Sequence, residues 1–280
     1  EAKSPDALLK LKMISKREAN VLNKAHDFLT SVRCHLHDIA ARGEERLHFD
    51  IQLELAERLG YTHRNNAKAV ERFMKHYFLV TRDIGDMTRI VCAAIEQDEI
   101  TKQKWIKPSA ASFMGFEILN NRLNFSDAQN LKKNPTEIMR FFRVSQETEY
   151  DIHPQALRTI ARNIDVIDQK FRNNPLTNSL FLEILTSQNN ASITLRRMNE
   201  AGVLERFIPE FRKVIALMQF DRYHVFTVDE HILHAIDTLH QIESGALRAE
   251  AGLASALIHT IENRRALYVA ILLHDLFKGQ

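Results

Sequence analysis

The sequence predicts a predominantly all-α protein, and three observations carry that expectation. The 280 residues include only eight glycines and six prolines, under half the ordinary share of about 12%. Sandwiches, barrels and doubly wound sheets need a turn every few residues, and these are the residues that build turns. Apolar residues also recur at helical spacing along most of the chain. Finally, 45% hydrophobic and 26% charged residues describe an ordinary globular balance able to bury a sizeable core. At ~100–200 residues per domain, the length suggests two domains, or one with a long connector.

Ser15 and Glu18 stand at capping-box spacing and open a helix expected to run to about Gly43. Its apolar positions (Leu22, Ala25, Phe28, Leu29, Val32, Leu36, Ile39) share one face. A second helix is expected over 49–59, with Gly60 as a left-handed stop. A third, over 67–96, carries Val70, Phe73, Met74, Tyr77, Ile84, Met87, Val91 and Ala94 at heptad-like spacing. Three successive amphipathic helices without strands predict an antiparallel helical bundle.

The helical pattern breaks between Ile100 and Leu131. In SFMGFEILNNRLNF, apolar positions alternate on both sides of Asn120-Asn121, a pair that tolerates left-handed turn geometry. This predicts a short β-hairpin within 112–125. Helix is expected again from Asn134-Pro135-Thr136-Glu137, which combines a cap residue, a first-turn proline and a first-turn acid. Further helices are expected over about 154–171, 176–187, 192–201 (closed by Gly202) and 209–218. Thr227-x-x-Glu230 repeats the capping-box pattern and introduces a helix bearing His231, His234 and His240. The last segment, RRALYVAILLHDLFKG, is apolar around most of its circumference from Ala266 to Leu273. That predicts a buried core helix, with His274 and Asp275 inside it. No fixed-period repeat or low-complexity stretch occurs.

Charge and cysteine content bound the function classes. Thirty-eight Lys and Arg against 36 Asp and Glu leave a net charge near +2. The charges are interleaved rather than gathered on a basic face, which argues against nucleic acid as a partner. Cys34 and Cys92 cannot form a disulfide framework; both lie in apolar-periodic stretches and are expected as buried free thiols of a reducing cytoplasm. The longest apolar run, Ala266 to Leu273, is too short to span a bilayer, and no signal peptide is visible. The sequence starts at Glu1 and stops at Gln280 just after a strongly patterned helix, which is expected of a piece of a longer protein.

The chemistry gathers at the end of the sequence. A carboxylate near the end of a buried helix is costly unless it is paired or bound to a cation. Asp275 beside His274 offers an oxygen and an imidazole to one small volume, a donor set suited to a divalent metal. The dipeptide alone leaves two readings open: a metal ligand pair, or a helix-edge carboxylate meeting water or Lys278. His35 and His37, two apart on a helix, diverge and cannot share a metal. His234 reads as a polar surface or packing residue, and Arg33, Arg42 and Arg46 as solvated charges.

The surrounding text narrows this. TVDEHILHAI followed, 43 positions from His231 to His274, by ALYVAILLHDLFKG resembles the HD metal-dependent phosphohydrolase pattern. More narrowly, FLEILTSQNNASITLRRMNEAGVLERFIPEF, MQFDRYHVFTVDEHIL, DFLTSVRCHLHDIAARGEERLHFDIQLELAERLGY and VERFMKHYFLVTRDIGDMTRI resemble the bacterial bifunctional PII uridylyltransferase/uridylyl-removing family (GlnD), closest to its alphaproteobacterial members. The resemblance covers nearly the whole chain, with 100–105 and 243–259 the vaguest parts.

The resemblance implies a polypeptide that attaches UMP from UTP to a tyrosine of the PII signal protein at low glutamine. At high glutamine, a metal-dependent HD domain removes it. It implies the following division: a helical connector bundle over 1–100, a linker with the hairpin over 101–133, a helical lead-in over 134–218, and the start of an HD-type helical domain over 219–280. The transferase domain and the glutamine-sensing domains lie outside this segment, which alone is expected to be inactive. By the same resemblance, His231, His274 and Asp275 are metal ligands for Mg2+ (or Mn2+), and His274 and Asp275 form the catalytic pair. A further aspartate ligand of the family pattern has no counterpart by Gln280. Phe277, where close relatives carry a small residue, should alter packing and not ligation. Lys278, just past the pair, is a candidate phosphate contact; Asp221 and His224 are candidates to support the site from the preceding loop. The implied partners are PII and UTP/UMP, with glutamine as effector, no nucleic acid and no membrane. Two alternatives remain: a non-catalytic helical scaffold that docks PII, and an HD phosphohydrolase of another family.

Overall fold

A computed structural model describes residues 4–11, 13–64, 67–102, 111–127, 129–220 and 226–279. The chain divides into two compact units, one of residues 1–104 with 216–227 and the other of 105–215 with 228–280. No helix among the described residues is long and apolar enough to cross a membrane.

The first unit is helical. Helix α1 (Pro5–Lys10) is capped by the Ser4 hydroxyl. Helix α2 (Lys16–Ala40) opens on the predicted capping box: the Ser15 hydroxyl accepts from the Glu18 N–H, and the Glu18 carboxylate accepts from the Ser15 N–H at 2.6 Å. It stops short of the expected Gly43, because Ala41 turns left-handed (φ +50°). Helix α3 (Phe49–Arg58) ends before Gly60, which is left-handed at φ +77° as expected. Helix α4 (Ala69–Lys102) runs past its expected end. Val32, Leu55, Ala56, Val70, Phe73 and Met74 form the buried core where α2, α3 and α4 meet.

The returning segment 216–220 adds Met218 and Phe220 to that core. Phe220 stacks on Phe49 at 4.3 Å between centroids, and its N–H donates to the Glu71 carboxylate. Both cysteines correct the expectation of burial: Cys34 and Cys92 are exposed. On α2, Val32 and Leu36 take the buried face, and Cys34, about 200° around the axis from Val32, falls opposite.

The second unit begins with the predicted hairpin. Strands β2 (Phe116–Leu119) and β3 (Arg122–Phe125) pair antiparallel across Asn120 and Asn121, whose φ values of +51° and +59° belong to the type I′ turn that matches strand twist. Two strands escape the sequence reading. β1 (Ala111–Phe113) turns into β2 through Met114 and Gly115, and β4 (Asp151–Ile152) pairs parallel with β3. The sheet order is β1-β2-β3-β4.

Helices α5 (Asn130–Lys133) and α6 (Glu137–Thr148) follow β3. The expected helix start at Asn134 moves to Glu137, because Asn134 ends α5 and Pro135-Thr136 make the turn. Phe141 of α6 stacks on Phe125 and meets Phe116 edge-on, which seats the sheet on α6.

The expected helix over 154–171 is broken into α7 (Pro154–Arg162), a 3-10 turn (Ile164–Val166) and α8 (Gln169–Arg172). Asp168 is responsible for the restart: its carboxylate accepts from the Phe171 N–H and caps a new helix. Helices α9 (Pro175–Leu185), α10 (Ala191–Glu200) and α11 (Val203–Phe207) follow, with Gly202 left-handed between the last two. The helix expected over 209–218 is only α12 (Phe211–Val214), since Ala216 turns left-handed.

The site-bearing elements come last: α13 (Val228–Ser244), α14 (Gly252–Leu257), α15 (Arg264–Leu273) and a closing 3-10 turn, Leu276–Gly279. The expectation that α15 is buried all round is corrected. It packs on α13 and α9, burying Tyr268 and Leu272, while Ala266, Ala270 and Leu273 are exposed.

Candidate metal centre

The first turn of α13 is held from one side by α10. Asn199 donates its amide to Asp229, a buried carboxylate, at 3.1 Å. Arg196, one helical turn earlier, donates to both oxygens of Glu230 at 3.0–3.3 Å. These bonds fix the start of α13 and so place His231, the next residue, whose ring is exposed. Sequence reasoning read Glu230 only as a capping acid. The available signal was Arg196 and Asn199 at i and i+3, one face of α10.

The second half of the site lies where α15 ends. His274 and Asp275 do not continue inside the helix as expected; they occupy the turn between Leu273 and the 3-10 segment. Leu276 is buried, and α12 packs on that 3-10 turn, so the turn is anchored from below. The Nδ1 of His274 lies 2.6 Å from the Ile271 carbonyl. A carbonyl can only accept, so Nδ1 is the donor of this contact, which turns Nε2 toward the site. Asp275 is only 7% exposed.

The two halves converge. Oδ2 of Asp275 lies 3.6 Å from Nε2 of His231 and 3.4 Å from Nε2 of His274. One ligand atom from each residue falls within 4.8 Å of the others, the one such group among the described residues. Two imidazole nitrogens and one carboxylate oxygen aimed at a common volume fit a divalent cation with mixed nitrogen and oxygen ligands. A nearly buried anion gives that fit its electrostatic reason. Lys278 is brought to the same place: its Nζ lies 2.7 Å from Oδ2 of Asp275. His234, a turn along α13, is exposed and outside the group. Asp221 and His224 lie outside the described residues.

A polar brace joins α13 to α15 farther from the site. Arg264 donates to both oxygens of Glu243 and, through Nη1, to the Thr186 carbonyl at 2.7 Å. Tyr268, fully buried, donates its hydroxyl to Glu243 at 2.8 Å and lies under the Arg264 guanidinium. The hydrogen bonds from Arg264 hold the Glu243 carboxyl below its ordinary range. Burial, then the hydrogen bond to Glu243, pushes the Tyr268 phenol up, so it stays a donor. Sequence reasoning missed this brace, whose members lie 21 and 25 residues apart with no local pattern to announce them.

Residues 1–92 match the family model described as GlnD PII-uridylyltransferase, and residues 116–207 match that of the uridylyltransferase GlnD third domain. A bifunctional uridylyltransferase/uridylyl-removing enzyme from Azospirillum brasilense is 48% identical over 281 residues. That similarity takes in 98% of this chain and 30% of the relative, so the chain spans under a third of the protein it resembles. No solved structure matches the chain.

Proposed function

Because the chain belongs to the GlnD PII-uridylyltransferase family, we propose that it is part of a bifunctional polypeptide that attaches UMP from UTP to the PII signal protein and removes it again. Glutamine is the effector, acting through parts of the polypeptide beyond this segment, and the reaction is cytoplasmic. We assign UMP removal to the site built by His231, His274 and Asp275. The observation that supports this most is the convergence of two Nε2 atoms and Oδ2 within 4.8 Å.

His231, His274 and Asp275 would hold Mg2+ (or Mn2+), which when bound supplies Lewis acidity at a phosphoryl oxygen and lowers the pKa of water. The protein's own contributions follow from the contacts described. The Ile271 carbonyl orients His274 so that Nε2 faces the site. Asp275 supplies negative charge in a nearly buried position, where charge acts over a low local dielectric. Lys278 provides a cation at the rim that can meet phosphate charge. In the reaction itself, water oxygen bonds to phosphorus, the bond from phosphorus to the tyrosine oxygen breaks, and the tyrosine oxygen recovers a proton.

A second reading, a non-catalytic scaffold that docks PII, draws on the Lys278–Asp275 ion pair, which compensates the carboxylate without a metal. The test of the proposal is to incubate the full-length protein with UTP, PII and Mg2+. Labelled PII is expected at low glutamine and free UMP at high glutamine. No labelling under either condition contradicts the assignment.

A further inference from the structure

We propose that Lys278 is a displaceable counter-ion of the metal site, which a divalent cation must push off Asp275 before the lysine can serve a phosphate. The inference rests on the metal-site reading given above. One oxygen, Oδ2 of Asp275, has three neighbours: Nε2 of His231, Nε2 of His274 and Nζ of Lys278, at 3.6, 3.4 and 2.7 Å. The ammonium is therefore nearest to the very oxygen that a metal would take.

Backbone geometry fixes this juxtaposition. The Lys278 N–H donates to the Asp275 carbonyl at 3.1 Å, closing a 3-10 turn in which side chains at i and i+3 eclipse. The lysine side chain is 37% exposed, so water is available to it when it lets go. A dication and an ammonium pressed on one carboxylate oxygen repel each other. At about 5 Å, even with the dielectric of water, that repulsion amounts to about tenfold in affinity. Displacement leaves Lys278 tethered at the rim with its charge unspent, one residue serving carboxylate and phosphate in turn. Metal loading then precedes productive phosphate binding.

The test is Mn2+ titration of the full-length protein, read by the EPR signal of free Mn2+, in wild type, Asp275→Asn, Lys278→Met and Lys278→Arg. Mn2+ held by wild type and lost in Asp275→Asn defines this site against any other in the polypeptide. Lys278→Met should bind there about tenfold more tightly, and Lys278→Arg, which keeps the charge, should stay within about twofold of wild type. Circular dichroism confirms that each variant is folded. Unchanged or weaker binding in Lys278→Met, or equal tightening in Lys278→Arg, overturns the counter-ion role and leaves the metal site standing. Equal Mn2+ binding by wild type and Asp275→Asn removes the metal site and this inference with it.

Discussion

At the scale of single residues, two carboxylates near α13 and α15 are compensated in different ways. Asp275 faces two imidazoles and an ammonium, all exposed enough to exchange partners. Glu243 is locked by Arg264 and Tyr268, which leaves nothing for chemistry and makes it a structural clasp. Its folded pKa lies below the ordinary glutamate value near 4.5. A depressed pKa contributes stability that is present above the ordinary value and lost as pH falls through the folded one. Glu243→Gln should therefore cost about 1–3 kcal/mol at pH 7 and less as the pH falls below the ordinary glutamate value and through the depressed one. Urea unfolding of both proteins from pH 7 to pH 3 checks this; a difference that stays constant with pH contradicts it. The His274-Asp275 pair drew attention in the sequence because its two donors are adjacent, while the dipeptide alone left the metal and ion-pair readings open. Glu243, Arg264 and Tyr268 were not, since only the packing of α13 on α15 brings them together. Lys278 was legible twice over, as a phosphate contact and as a partner for Asp275, and the geometry realises the second of these.

At the scale of elements, periodicity and capping residues predicted helices well where the apolar stripe is continuous, as in α2, α3 and α4. They failed where turn chemistry interrupts a stripe. Asp168 restarts a helix within what reads as one helix over 154–171, and Ala216 ends the stretch after α12 by turning left-handed. Alternation around Asn120-Asn121 revealed β2 and β3, but β1 and β4 are too short to carry a pattern of their own. Helix α4 offers a quantitative test of the local argument. Gly85 sits in its interior with a helical backbone, and a Cβ there would meet nothing within 4 Å. Glycine in a helix costs backbone entropy on folding, so Gly85→Ala should stabilise the first unit by about 0.5–1 kcal/mol. A thermal melt showing lower stability would mean that the glycine serves a purpose other than spacing.

At the scale of the whole molecule, the division of the chain follows packing and not sequence order. The segment 216–227 belongs with the first unit, where Phe220 stacks on Phe49 and bonds to Glu71. No sequence pattern announced that return, because the partners are about 150–170 positions away. The strongly apolar α15 likewise read as a buried core helix, yet it buries only the face that carries Tyr268 and Leu272, since its described neighbours lie on one side. What the fold does deliver is the start of α13, pinned by α10, against the turn after α15, anchored by α12. That juxtaposition is the reason three ligand atoms from residues 231, 274 and 275 meet. The central claim is that this meeting holds a metal for UMP removal. Asp275→Asn keeps the side-chain shape and deletes the charge, so it tests the claim with little risk to the fold. The decisive measurement is release of UMP from uridylylated PII by full-length wild type and Asp275→Asn, with UMP addition and thermal melts recorded on the same preparations. Removal should fall by about 100-fold or more, while addition and melting temperature hold. Unchanged removal in the folded variant would contradict the account and return Asp275 to a structural ion pair with Lys278.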